Sequence, residues 1–177
     1  RAPAGERAGL LTLAHSLFTG LESTRPIIRG AHLYKRFLCG DLPIPGDNNT
    51  PDGVVLQDDF TQREIVTAMT EVKGTTCYNC HSSIINPVGF SFEDFNSFGF
   101  KRETEDVYHK QSSEEKGTVL AVKPVHSQNY VSLPYGSSKS VDNGAQLSKE
   151  VARNPAAKSC FAQNVWRFAA SEPIKKG

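Results

Sequence analysis

The sequence predicts a mainly α fold with long loops and one small β-hairpin. Apolar residues recur at three- and four-residue spacing in several stretches, which indicates amphipathic helices. The chain also holds 14 glycines and 10 prolines, which predict long irregular connections. One run rich in β-branched and apolar residues, 118–122, has the composition of a strand. At 177 residues the chain is long enough for one core of ordinary size.

The first two predicted helices lie in the first forty residues. The stretch 7–17 carries apolar side chains at helical spacing, namely Leu10, Leu11, Ala14 and Leu17. A second helix is expected over about 27–38, because Pro26 suits a first helical turn and Gly40 follows the last apolar residue.

A third helix is expected after a Pro- and Gly-rich loop, 41–59. Thr61 and Glu64 have the spacing of a capping box, in which each residue satisfies the backbone N–H of the other. We expect the helix to end near Gly74. Its apolar face contains Ile65, Val66 and Met69.

The second half of the chain predicts a hairpin and two further helices. The strand at 118–122 is expected to pair with the chain near 101–108, and 123–143 is expected to be irregular. Helices are expected over 145–152 and 156–170, separated by an Asn-Pro pair. The last helix has an apolar stripe made of Phe161, Val165, Phe168 and Ala169.

Composition and charge exclude several classes of protein. Lys and Arg number 20 and Asp and Glu number 19, so the chain lacks the basic surplus that nucleic-acid binding normally needs. A content of 38% apolar and 22% charged residues excludes disorder over most of the chain. No apolar run approaches the eighteen residues of a membrane span, so none is expected.

The most informative motif is Cys77-Tyr78-Asn79-Cys80-His81, which has the C-x-x-C-H spacing of c-type haem attachment. Two thiols at this spacing can meet the two vinyl groups of one porphyrin. The next residue, His81, can then supply a neutral imidazole nitrogen to the iron. The motif therefore predicts one covalent haem c, with Cys77, Cys80 and His81 as its attachment and ligand residues.

Two other interpretations of the motif stay open at this point. A zinc site normally needs four ligands, and the remaining cysteines, Cys39 and Cys160, stand far from the motif and from each other. A redox dithiol or disulfide is the third interpretation, although no βαβ unit of the thioredoxin type is visible. Five phenylalanines within 90–100 predict a short helix packed on a large apolar object, either the porphyrin or an ordinary core.

Haem attachment through thioethers takes place outside the cytoplasm, so we expect an exported protein, either periplasmic or extracellular. Residues 1–7 lack the apolar region of a signal peptide, which suggests a processed product or one piece of a longer precursor. Export also permits a disulfide between Cys39 and Cys160, both on apolar helical faces. The alternative is two buried free thiols.

An ordered series of motifs carries a family resemblance: 7–12, 25–30, 38–39, 63–64, 77–81, 86–90 and 92–93. It resembles a family of haem-containing domains of unknown function found in large secreted proteins, often called planctomycete-type cytochrome proteins (domain-of-unknown-function family fifteen eighty-eight). The tail, 147–169, is similar to the companion family fifteen eighty-five. The resemblance implies the C-terminal part of a larger exported c-type cytochrome, with no established reaction. Many relatives carry a His near the position of Met69 and an acidic residue at that of Asn86.

The sixth iron ligand is assigned to Met69, the only methionine, which lies on an amphipathic helix eight residues before Cys77. A lone methionine on such a face is also an ordinary core residue. His126 is the second candidate and His32 the third, whereas His15 and His109 are expected at the surface. Water or no sixth ligand at all is the remaining alternative.

Three further residues are expected to tune the haem site. The Pro87 carbonyl could accept a hydrogen bond from the His81 imidazole. Arg29 and Arg63 could pair with haem propionates, although solvated or helix-capping roles are equally compatible with the sequence.

We expect a haem-binding, cytochrome c-like region over 1–110, an irregular connection over 111–143, and a C-terminal helical segment, 144–177, packed on the same core. The predicted function is an electron-transfer module that serves the upstream part of its precursor or another redox protein. A catalytic haem of peroxidase or oxidase type and a structural haem domain are the alternatives. The chain by itself is not expected to be an enzyme, and an oligomer stays open.

Overall fold

The computed structural model describes residues 5–20, 22–42, 53–109, 117–136 and 138–171. Helices make up the larger part of its regular structure, as expected for a mainly α protein. The helices are α1 (Ala14–Leu17), α2 (Pro26–Phe37), α3 (Gln62–Thr70), α4 (Thr76–Cys80), α5 (Asn86–Phe90), α6 (Gly144–Arg153) and α7 (Pro155–Ala169). The strands are β1 (Thr104–Tyr108), β2 (Val119–Pro124), β3 (Asn129–Val131) and β4 (Lys139–Val141).

The N-terminal stretch is not the single helix that its apolar spacing predicts. A 3-10 turn at Leu10–Thr12 and the short α1 are separated by Leu13 in extended backbone. The buried Thr12 hydroxyl accepts a hydrogen bond from the Ala8 N–H. Such local side-chain bonds compete with helical hydrogen bonding, which accounts for the break.

Helix α2 lies where the sequence predicts it, and α3 begins where predicted but ends at Thr70, four residues before the expected end at Gly74. Pro26 occupies the first turn of α2. The capping box of α3 is confirmed, since Thr61 and Glu64 each accept a hydrogen bond from the backbone N–H of the other. Of the loop before α3, residues 43–52 lie outside the described residues, and 53–60 form turns without helix or strand.

The haem-motif segment is one continuous helical rod with a widened middle. α4 passes into a π-helical segment, His81–Ile85, and this passes into α5. Two glycines bring α2 against this rod at backbone distance. A Cβ on Gly30 would lie 2.1 Å from the Ile85 carbonyl oxygen, and a Cβ on Gly89 would lie 2.1 Å from that of Pro26. Two motifs of the family resemblance, 25–30 and 86–90, therefore meet in space.

The phenylalanine-rich segment 90–100 is mostly non-helical, contrary to the prediction. α5 ends at Phe90, and the chain then turns back through an isolated bridge between Phe95 and Lys101. Phe92 and Phe95 belong to the protein core, which favours the ordinary-core interpretation for these two rings. Phe98 and Phe100 are exposed.

Two antiparallel hairpins follow. β1 pairs with β2, with Thr104 opposite Pro124, which confirms the predicted hairpin. β3 pairs with β4, with Asn129 opposite Val141. The expectation that 123–143 is irregular is therefore wrong over these strands, because the inward-facing Val131 and Val141 are fully buried and anchor them.

One hydrophobic core joins the two ends of the chain. It contains Leu17, Leu33, Leu38, Val88, Phe92, Phe95, Val131, Val141, Leu147, Val151 and Ala156. The predicted disulfide is confirmed: Cys39 and Cys160 are bonded, with their Cα atoms 5.4 Å apart. Past Cys160, α7 leaves the core and its predicted apolar stripe faces outward, since Phe161, Val165 and Phe168 are all at least half exposed. The neighbouring Trp166 is exposed as well. The described helices include none long and apolar enough to cross a membrane.

Candidate functional site

Three side chains of the C-x-x-C-H motif share one side of the helical rod. Cys77 and Cys80 lie three residues apart on α4, and His81 lies four residues after Cys77. Because residues three and four apart are neighbours on a helix surface, both thiols and the imidazole project to one side. Both cysteines are free, and all three residues are partly exposed.

The His81 imidazole is held by the side chain of Asn86. The distance between His81 Nδ1 and Asn86 Oδ1 is 2.9 Å, and Asn86 is fully buried. Asn86 Nδ2 donates to the Thr70 hydroxyl at 2.9 Å and to the Glu71 carboxylate at 2.8 Å. A carboxylate only accepts hydrogen bonds, so the amide nitrogen must face Glu71 and the amide oxygen must face His81. His81 Nδ1 is therefore the donor, and the lone pair of the neutral ring lies on Nε2.

The π-helical segment explains why Asn86 reaches the imidazole. In an α-helix, a residue five positions later is rotated by about 140° around the axis. The π turn instead places residue 86 over residue 81, and the Asn86 backbone N–H donates to the His81 carbonyl. Pro87 follows directly; it has no N–H for the usual bond to residue 83, and its ring disfavours that regular turn. The Ser82 and Ser83 hydroxyls donate to the carbonyls of residues 78 and 79.

The expected bond from the imidazole to the Pro87 carbonyl is replaced by the bond to Asn86. The Pro87 carbonyl accepts from the Ser91 hydroxyl at 2.8 Å instead. Sequence reasoning missed Asn86 because its reach depends on the π turn, which spacing alone does not reveal. The Asn-Pro pair that follows the haem motif was a signal that the sequence offered.

Arg29 has a structural position rather than the expected one at a haem propionate. Its guanidinium is buried and donates to the carbonyls of Leu17, Phe92, Phe95 and Asn96. It also pairs with the buried Glu93 at 3.4 Å. Burial lowers the pKa of Arg29, and the charge of Glu93 opposes that shift. Three of these carbonyls belong to the irregular chain after α5, and the fourth, that of Leu17, ends α1, so Arg29 satisfies backbone groups that no helix satisfies there.

Glu93 has two further partners in the same cluster. The Thr24 hydroxyl donates to it at 2.6 Å, and Arg102 pairs with it at 3.0 Å. Burial raises the pKa of Glu93, and the charges of Arg29 and Arg102 oppose this. The cluster connects the start of α2 to the segment that follows α5.

Arg63 lines a cavity of about 550 Å³ beside α3. Its guanidinium lies 4.6 Å from the centre of the Phe90 ring, and it donates to the His126 carbonyl and, at 2.9 Å, to the Asn129 side chain. Burial lowers the pKa of Arg63. Lys123 lines the same cavity, together with Glu93 and Glu105. A propionate contact of Arg63 stays a prediction.

The candidates for the sixth ligand occupy different places. Met69 is half-buried in the last turn of α3, next to Thr70 and Glu71, which contact Asn86 on the Nδ1 side of His81. Met69 could supply a thioether sulfur to the iron of a haem held by His81, and this role stays a prediction. His126 is exposed at the cavity of Arg63, and His32 is exposed against Phe37.

The residues present fit a covalent haem. Two free thiols lie one helical turn apart, and the neighbouring imidazole has its Nδ1 proton bound, so that Nε2 can coordinate iron. A four-ligand zinc site would need ligands beyond the motif, and the two remaining thiols, Cys39 and Cys160, are joined to each other. Within the described ranges, no group of three or more His, Cys, Asp or Glu side chains forms a metal-binding cluster.

Comparisons with known proteins identify the family. Neither curated proteins nor solved structures gave a match. The similarity of the tail to family fifteen eighty-five stays a prediction. The family model that matches is PSCyt3, a protein of unknown function (DUF1588), and it covers residues 7–105, more than half of the chain. This stretch holds α1 to α5, the C-x-x-C-H motif and Asn86, whose side chain binds the His81 imidazole. The chain therefore belongs to the PSCyt3 (DUF1588) family of cytochrome c-type domains of unknown function.

Proposed function

We propose that this chain is a c-type cytochrome module that carries one covalent haem and transfers electrons. Cys77 and Cys80 would form the thioether bonds to the haem, and His81 would supply a nitrogen ligand to its iron. The observation that carries the proposal is the shared side of Cys77, Cys80 and His81, combined with the hydrogen bond that leaves His81 Nε2 available.

The haem supplies an iron that gains and loses one electron. The two cysteines would hold the porphyrin, and Asn86 orients the imidazole that would bind its iron. Both cysteines are partly exposed, which supports a haem edge near the surface, where a partner can exchange electrons. No substrate pocket is required for this role.

We further propose an exported protein whose partner is the upstream part of its own precursor or another redox protein. The disulfide between Cys39 and Cys160 supports export, since such bonds persist in oxidising compartments. The near-balance of charge supports a protein partner over nucleic acid.

The test is production of the chain with a cytochrome c maturation system in a bacterial periplasm. The wild-type chain should keep its haem stain after boiling in detergent, and its mass should exceed the bare chain by one haem. Cys77→Ser with Cys80→Ser should lose the stain, whereas Asn79→Ala, an exposed position between them, should keep it. A wild-type mass equal to that of the bare chain would overturn the proposal.

A carbon monoxide titration separates electron transfer from haem catalysis. A closed six-coordinate iron gives a ferrous spectrum that carbon monoxide leaves unchanged, as expected for a carrier. A shifted Soret band would reveal an open iron and favour the peroxidase- or oxidase-like alternative.

A further inference from the structure

We infer that Glu71, acting through the amide of Asn86, increases the electron donation of His81 and lowers the reduction potential of the haem. Glu71 and Asn86 are positioning residues, because neither would touch the haem. The inference rests on the proposed function, since it concerns the haem held by His81.

The three side chains form one directed hydrogen-bond chain. Asn86 Nδ2 donates to Glu71 Oε1 at 2.8 Å, and His81 Nδ1 lies 2.9 Å from Asn86 Oδ1. Asn86 has no exposed surface, so water does not compete for its amide. Thr70 accepts from the same amide nitrogen at 2.9 Å and itself donates to the Val66 carbonyl at 2.6 Å. The donor and acceptor of each hydrogen bond in this series are therefore fixed.

The charge of Glu71 acts on His81 through polarisation. A carboxylate that accepts from an amide N–H increases the negative charge on the amide oxygen, because hydrogen bonds in a chain strengthen one another. A more negative Asn86 Oδ1 accepts more strongly from His81 Nδ1, and the ring then donates more electron density through Nε2. Greater donation stabilises ferric over ferrous iron, which lowers the potential.

The helix end at Glu71 by itself gives no reason for a carboxylate, although the charge of Glu71 also acts on the partly buried guanidinium of Arg63. Glu71 is the C-terminal cap residue of α3. Negative charge is unfavourable at this end of a helix, because the backbone carbonyls already place partial negative charge there. A glutamine could accept the same bond from Asn86, so the carboxylate at this position adds charge rather than a bond.

The experiment compares four haem-loaded full-length chains: wild type, Glu71→Gln, Thr70→Val and Glu103→Gln. Glu71→Gln keeps an acceptor for Asn86 and removes only the charge. Thr70→Val removes the uncharged contact, and Glu103→Gln removes a charge from an exposed side chain. The readouts are the reduction potential at high salt, which screens distant charges, and the proton resonance of His81 Nδ1–H.

Glu71→Gln should favour the ferrous form about tenfold, an increase of about 59 mV for one electron. Its Nδ1–H resonance should move upfield as that bond weakens. Thr70→Val and Glu103→Gln should change the potential by much less. An unchanged potential in Glu71→Gln, or an equal shift in Glu103→Gln, would overturn the inference.

The inference and the proposed function can fail separately. If the wild-type chain binds no haem, the proposed function fails. The Nδ1–H resonance of the haem-free chain still reports whether Glu71 strengthens the bond between His81 and Asn86. If haem binds and neither readout responds to Glu71→Gln, only the inference fails.

Discussion

Two hydrogen bonds join His81 and Asn86. The Asn86 backbone N–H donates to the His81 carbonyl, and His81 Nδ1 lies 2.9 Å from Asn86 Oδ1. Both contacts require a five-residue turn, which is the π-helical segment between them. π turns inside α-helices occur frequently at functional sites. In this protein the turn brings a buried amide onto the imidazole that we propose as the iron ligand.

Met69→Ala tests the sixth ligand. If Met69 binds the iron, the variant should open the iron to carbon monoxide and lose the weak charge-transfer band at the red end of the ferric spectrum. His126→Ala should leave both unchanged. The reverse pattern would move the assignment to His126, and a spectrum that neither variant changes would exclude both residues.

Gly30→Ala and Gly89→Ala should each destabilise the protein by about 3 kcal/mol. Each added Cβ would meet a backbone oxygen at 2.1 Å, and backbone atoms of two packed helices cannot move aside cheaply. Gly136→Ala is the control, because its Cβ would meet a side-chain nitrogen at 3.2 Å. Urea unfolding measures the difference. If both variants lose no more stability than Gly136→Ala, the close contact between α2 and the helical rod would be contradicted.

Arg29→Met should lower the free energy of unfolding by about 3–5 kcal/mol. The substitution leaves Glu93 buried without one of its charged partners and removes the hydrogen-bond donor of several buried carbonyls. The haem content of the folded fraction should not change, because the Arg29 guanidinium binds backbone carbonyls and Glu93. Thermal unfolding and the haem-to-protein absorbance ratio measure the two effects. A lower haem content at unchanged stability would instead support the original expectation that Arg29 pairs with a haem propionate.

Removing the disulfide by Cys39→Ser with Cys160→Ser should destabilise the chain by up to about 4–5 kcal/mol. The bond closes a loop of 121 positions, so its loss frees the unfolded chain more than the folded one. Alkylation of the denatured, unreduced holoprotein should label no thiol. Two labelled thiols on a chain of confirmed haem-bound mass would contradict the bridge.

Acid should weaken the contact between β4 and α6. The hydrogen bond from Lys139 lowers the pKa of Glu150 below its ordinary 4.5. A lowered folded-state pKa means that the stabilisation is present above pH 4.5 and is lost as the pH falls through the lower folded value. Unfolding of wild type and Glu150→Gln between pH 3 and pH 6 (about the range of carboxyl titration) should therefore converge toward the acid end. A difference independent of pH would refute this contribution.

Local patterns predicted much of this molecule. The capping box of Thr61 and Glu64, the hairpin of β1 and β2, and the C-x-x-C-H spacing each depend on residues close in sequence or on a simple period. The disulfide joins distant residues, yet it was predictable because two cysteines remained once the motif was assigned.

Tertiary structure alone decided the surroundings of the site. Arg29 lies among carbonyls of residues 63–67 positions away in sequence. Asn86 donates a hydrogen bond to Glu71, which is 15 positions away. Such contacts depend on the approach of α2 to the haem-motif rod and on a π turn, and neither leaves a periodic signal. The sequence by itself determined which side chains can hold a haem, because that chemistry needs only their types and spacing. Only the fold decided what orients His81, because a hydrogen-bond partner is set by distance in space.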